Sequence, residues 1–84
     1  MQRLSSYPNV FNTCLVLVRK KGFALTYDKA ADTWNATKGE FSFLADNPIE
    51  LLGLIAVFET LKPEKAVEYW WQIQDPDVLS ELNP

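Results

Sequence analysis

The sequence contains no histidine and a single cysteine, Cys14. Without histidine there is no imidazole base to activate a serine or cysteine nucleophile, and no cysteine–histidine metal site can form. A lone cysteine excludes an intrachain disulfide. Its place in the apolar run Cys14-Leu15-Val16-Leu17-Val18 marks it as a small buried hydrophobe. Basic charge is scarce as well: eight Lys and Arg stand against eleven Asp and Glu, for a net charge of −3. An acidic chain lacks the electrostatic footprint of a nucleic-acid binder, so no nucleic-acid partner is expected. The one basic cluster, Arg19-Lys20-Lys21, reads as the last turn of a helix, where cations offset the helix dipole. The longest apolar stretch, Leu51 to Phe58, is too short to span a bilayer, and no basic end followed by an apolar run stands at Met1–Pro8. No membrane partner is expected, and the sequence reads as cytoplasmic. Asn35-Ala36-Thr37 fits the glycosylation acceptor pattern, a chance match in a chain without a secretion signal.

What is present suits a packed core. Hydrophobic residues make up 48% of the sequence and aromatics 13%, which is not a disordered composition. The 84 residues give room for one domain, with residues 1–6 as a loose lead-in and 75–84 as a short C-terminal tail. Pro8 suits the first turn of a helix, and Phe11, Cys14, Leu15 and Val18 then fall on one helical face. A strand over Thr13–Val18 competes, because the run is continuous and valine-rich. The helix is favoured because Pro8 at its start and Gly22 at its end agree with the period. Alternation follows. Phe23, Leu25 and Tyr27 share one face of a first strand, Trp34 and Ala36 one face of a second, and Phe41 and Phe43 one face of a third, which together give an aromatic inner face of Phe23, Tyr27, Trp34, Phe41 and Phe43. Turns at Asp28–Asp32 and Lys38-Gly39-Glu40 separate these strands.

Asn47-Pro48-Ile49-Glu50 reads as a helix start, with Asn47 as N-cap, Pro48 at the first helical position and Glu50 placed to close a capping box. From Leu51 to Leu61 only Glu59 is charged, so this helix is expected to be buried on most sides. Gly53 would let another backbone approach, and Leu54→Ala should cost about 2–5 kcal/mol if the helix is the centre of the core. Lys62-Pro63 ends it. A third helix is expected over Glu64–Ile73, with Ala66, Val67, Trp70, Ile73 and Gln74 on its inner side. One more short turn is allowed between Asp77 and Leu82. The fold expected is therefore α+β, in the order α-β-β-β-α-α: a three-stranded antiparallel meander with helices packed on one face.

At Ala45-Asp46-Asn47-Pro48-Ile49-Glu50-Leu51-Leu52-Gly53-Leu54 the chain resembles a group of small bacterial proteins to which no function is attached. Arg19-Lys20-Lys21-Gly22-Phe23 and Trp34 fit the same layout, in which a helix ending in Lys-Gly-aromatic precedes a short sheet. The resemblance spans roughly residues 14 to 60. It implies a bacterial source and a shared fold, and it carries no activity, because the matched residues are caps and core positions.

Functional residues are few. The carboxylate pairs Asp28 with Asp32 and Glu40 with Asp46 have the residue type for acid–base chemistry, but solvated turn ends are the simpler account. Asp28–Glu40 lacks the spacing of a calcium loop. No enzyme activity, metal or cofactor is expected. Tyr69-Trp70-Trp71 is the unusual feature. Small domains use large aromatics to gain buried area, so Trp70 is expected to cap the core. The candidate interaction residues are nevertheless Tyr69, Trp70, Trp71, Glu68 and Leu79, with Trp71 beside Tyr69 or Leu79 as the exposed patch, since Trp and Tyr dominate binding hot spots. The expected function is binding of another protein or of a second copy of the chain. Two alternatives stand beside it. One is an acidic inhibitor or immunity-type protein using Glu64, Glu68, Asp75 and Asp77. The other is a small-ligand or enzymatic domain with an aromatic pocket.

Overall fold

The computed structural model describes residues Met1–Pro84. A short 3-10 turn (Pro8–Val10) leads into α1 (Phe11–Lys20), followed by β1 (Ala24–Asp28), β2 (Thr33–Lys38), β3 (Phe41–Ala45), α2 (Pro48–Leu61) and α3 (Val78–Leu82). The strands form one antiparallel sheet in the order β1-β2-β3. The fold is α+β with the expected element order, and α1 and α2 pack on one face of the sheet.

Residues 13–18 are helical. Cys14 and Val18 are buried, with Phe11 and Leu15 half-buried beside them, as the one-face spacing requires. Gly22 ends the helix at φ +89°, a conformation that a residue with a Cβ rarely adopts. The basic end also makes a contact that the sequence did not point to. Lys21 pairs with Glu59 of α2 at 2.8 Å, and Lys38 donates to the Lys21 carbonyl at 2.8 Å. Lys38 also lies over the Phe23 ring, 5.2 Å from its centre.

The strand register places Leu25, Ala36 and Phe43 abreast, and Tyr27, Trp34 and Ala45 abreast. These side chains alternate onto the helix-covered face. Ala24, Thr26, Thr37, Ser42 and Leu44 occupy the opposite face, which is solvent-exposed. The β1–β2 turn is held by Asp28, whose carboxylate accepts from the N–H groups of Ala30 and Ala31 at 3.0 and 3.2 Å. The β2–β3 turn is two residues long, with positive φ only at Gly39 (+59°), the pattern of a type II′ hairpin.

Asn47 caps α2 as expected, its side chain accepting from the Glu50 N–H at 2.9 Å. The core that α2 completes consists of Val18, Phe23, Ala36, Phe43, Ala45, Leu51 and Ile55. Phe23, Phe43 and Phe58 meet edge to face, with ring centres 5.4–5.9 Å apart.

Three expectations fail. First, α2 is not buried on most sides. Only Pro48, Leu51 and Ile55 are buried, while Leu54 is 41% and Val57 39% exposed. The sheet is three strands wide and α1 covers one flank, so no further layer is left for the remaining apolar sides. Second, nothing approaches Gly53; a Cβ there would meet no atom within 4 Å. Third, no helix forms over Glu64–Ile73, which runs as turns. Lys62 and Tyr69 take left-handed φ values of +50° and +59°, and the Ala66 N–H donates to Glu40 Oε1 at 2.7 Å instead of to a helical carbonyl. Val67, Tyr69, Trp70 and Trp71 are β-branched or aromatic, with weak helix propensity. The last helix of the order is supplied by Val78–Leu82, where Asp77 accepts from the Ser80 N–H at 3.1 Å.

The chain is open for its length. Its radius of gyration is 14.5 Å, against about 12 Å for a compact domain of this size. Its surface of 6879 Å² exceeds the roughly 5,100 Å² expected for its mass. The excess lies in residues 1–9 and 64–84 and on the outward side of α2, where exposed residues predominate.

The burial pattern reassigns the energetic centre of α2. Leu51→Ala should destabilise by about 2–5 kcal/mol, whereas Leu54→Ala should cost under about 1 kcal/mol. Urea melts of the two variants compare them directly. An equal loss would mean that the outer side of α2 is covered in solution.

Candidate interaction surface

Trp70 and Trp71 are neighbours in sequence but play different parts. Trp70 is half-buried and meets Phe41, Phe43 and Phe58 with ring centres 5.8–6.4 Å away. It closes the end of the aromatic core, as the sequence suggests. Trp71 is 53% exposed, standing edge-on to Trp70 at 5.8 Å and to Tyr69 at 5.9 Å. Tyr69 is exposed, and its backbone takes a left-handed φ of +59° just before the two indoles. For an aromatic residue this conformation costs of order 1 kcal/mol.

The groove and the adjoining hollows that Trp71 lines do not include Leu79. Leu79 stands exposed on α3, and Trp71 instead lines a groove with Ser42, Leu44, Leu54, Val57 and Trp70. The groove holds about 300 Å³ and Ser42 is its only polar liner. It continues past Leu44 and Val57 into a hollow of about 620 Å³ lined by Asp46, Glu50 and Gly53. Along α2 it continues past Ala56 and Leu61 to Ile73, a further 350 Å³ or so. Toward the β2–β3 turn, past Ser42, Trp70 and Trp71, it meets a cleft that Glu40 and Glu68 line with Ala66 and Val67. The whole surface therefore follows β3, an edge strand, between α2 and the 66–73 segment. No backbone hydrogen bond outside the sheet ladders involves residues 41–45.

The sequence singles out Tyr69, Trp70, Trp71, Glu68 and Leu79, and misses Leu44, Leu54, Val57 and Ile73. A signal for Leu54 and Val57 was present. A helix apolar on nearly every side cannot bury all of its sides in a chain with so few other elements. Leu44 carried a weaker signal, as an apolar residue on the strand face opposite Phe43.

The proposed carboxylate pairs do not converge on a pocket. Asp28 holds the β1–β2 turn, and Asp32 Oδ1 accepts from the Tyr27 hydroxyl at 2.7 Å. That hydrogen bond, reinforced by the charges of Asp32 and Asp28, raises the Tyr27 phenol above its ordinary value. Glu40 binds the Ala66 N–H, and Asp46 lies on the opposite side of the groove. Among the acidic residues of the tail, Asp77 caps α3, accepting from both the N–H and the hydroxyl of Ser80. No helix is long and apolar enough to cross a membrane.

No family model matches the chain, and neither does any curated protein or solved structure.

The two indoles should separate in mutagenesis. Trp70→Ala should destabilise by about 2 kcal/mol or more, while Trp71→Ala should stay within about 1 kcal/mol and remove the red-shifted part of the emission. Denaturant melts followed by fluorescence read both. The Asp77 cap gives α3 a pH dependence. Hydrogen bonds from the Ser80 N–H and then its hydroxyl hold the Asp77 carboxyl below its ordinary value. A carboxyl lowered by folding stabilises the folded form above its unfolded pKa and loses that contribution as pH falls through the lowered value. Residues Val78–Leu82 should therefore keep helical carbon shifts at neutral pH and fray below the ordinary carboxylate range. Asp77→Ala should fray at every pH, which an NMR titration tests.

Proposed function

We propose that the chain is a small intracellular, non-enzymatic protein that works by binding another protein across the groove beside β3. The observation that carries this reading is the continuous apolar surface of Leu44, Leu54, Val57 and Trp71, lying on an edge strand with unpaired backbone. Exposed apolar patches of a few hundred Å² mark interaction sites on small proteins, and a half-exposed indole at the centre suits a hot spot. The outward side of α2 and the 64–73 segment that border the groove are also among the places where the isolated chain exposes more surface than its mass leads one to expect. Cys14 supports the intracellular setting, since small chains in oxidising compartments are usually stapled by disulfides and this thiol is free.

An enzymatic reading finds less support. The groove has the volume of a ligand pocket but not the convergent polar groups that orient a substrate, because Ser42 stands alone at its centre. The inhibitor reading is a narrower form of the same proposal, in which the partner is basic.

Photo-crosslinking in cells that make the protein natively tests it. A photoreactive residue in place of Val57 or Trp71 should give discrete crosslinked species, and one at Thr26 on the outer sheet face should give none. The mass of the adduct separates a foreign partner from a second copy. Uncrosslinked monomer at all positions would overturn the proposal.

A further inference from the structure

We infer that the occupant of this groove is an extended segment of a partner protein, apolar at alternate positions and basic at both ends, which adds to the sheet as a fourth strand along β3. The inference rests on the protein-binding reading and goes further, naming the mode of binding and the chemistry of the partner.

The hairpin register sets the mode. In a two-residue turn the closing pair is hydrogen-bonded, here Lys38 with Phe41, and bonded and non-bonded pairs then alternate along the ladder. Phe43 and Ala45 bond to β2, so the N–H and C=O groups of Ser42 and Leu44 point off the free edge. They lack backbone partners within the chain. The 66–71 segment runs beside this edge but meets it through side chains and the Glu40–Ala66 bond, not through a ladder. A fourth strand would pair with Ser42 and Leu44 and lay alternate side chains toward Leu54, Val57 and Trp71, the geometry of strand addition.

Charge selects the occupant. Asp46 and Glu50 stand at one end of the groove and Glu40 and Glu68 at the other, with no Lys or Arg among the lining residues. None of these carboxylates is in a salt bridge; the molecule's one ion pair is Lys21–Glu59, on the α1 side of α2. Six residue steps separate Glu40 from Asp46, about 20 Å in a strand, so a segment of roughly seven residues brings a basic group to each end. A second copy of this chain fits less well. Two β3 edges related by a two-fold axis would bring Asp46 and Glu50 of both copies into the same interface, where like charges repel.

The probe is the peptide Lys-Val-Thr-Val-Thr-Val-Lys, acetylated and amidated at its ends and titrated into the full chain under amide NMR. Saturable shifts are expected at Ser42, Leu44, Leu54, Val57 and the Trp71 indole, with slowed amide exchange at Ser42 and Leu44. Exchanging both peptide lysines for glutamate should weaken binding roughly tenfold, a loss that high salt should reduce. N-methylation of the edge-facing peptide amides should abolish it. Glu50→Lys in the protein should narrow or reverse the charge preference. Shifts at Leu54, Val57 and Trp71 without protection of Ser42 and Leu44 would overturn strand addition and leave the binding surface standing. Equal affinity for the lysine and glutamate peptides would overturn the charge assignment. Protection of Ser42 and Leu44 that grows with protein concentration in the absence of peptide would overturn it in favour of self-association. No saturable shift with any peptide would overturn it outright, and the crosslinking result would then decide separately whether the surface binds protein at all.

Discussion

Ala36 sets the geometry on which the rest of the fold depends. It occupies the middle of the central strand, between Leu25 and Phe43, and is fully buried. A methyl group there lets α2 settle Leu51 and Ile55 close against the sheet, while the large aromatic rings stand around the margin. Phe23 and Phe43 contact each other and Phe58, and Trp70 closes the far end. The core is therefore narrow: one helix on a short sheet, with α1 as a buttress tied to α2 by Lys21 and Glu59. Because that contact uses only one side of α2, its neighbouring apolar side remains outside the core, next to the edge strand.

Local signals in the sequence were reliable where they concerned caps and periods. Asn47, Pro48 and Gly22 mark real helix ends, and the alternation from Phe23 to Phe43 gives the correct faces of all three strands. Those features depend on near neighbours in the chain, so a window of a few residues contains the cause. The region after Lys62 does not. A period of apolar residues there fits a helix, but Trp70 is drawn to the aromatic end of the core and Glu40 takes the Ala66 N–H. Both partners lie far away in sequence, and the backbone turns at Tyr69 to meet them. Tertiary contact outweighs a weak local preference here.

The interaction surface was half legible for the same reason. Trp71 and Tyr69 are conspicuous by residue type, and Leu79 by hydrophobicity, but which of them share a face depends on the turn at Tyr69. Leu54 and Val57 look like core in a sequence, because residue type alone cannot say how many layers will cover a helix. Their exposure follows from the small number of elements. The open shape of the chain and the unpaired edge of β3 are two views of the same shortage: the molecule has more apolar surface than its own elements can cover.

The free thiol of Cys14 turns that marginal packing into something observable. It is 5% exposed, beneath a shallow hollow shared by Leu4, Val10 and Leu52. An alkylating reagent reaches the sulfur freely only when the walls of that hollow, the lead-in residues, α1 and α2, move apart. The rate of labelling is thus a clock for that opening, with one natural chronometer per molecule. An occupant that steadies α2 from the far side would slow the clock without touching the sulfur, and so report through the core on what sits at the edge of the sheet.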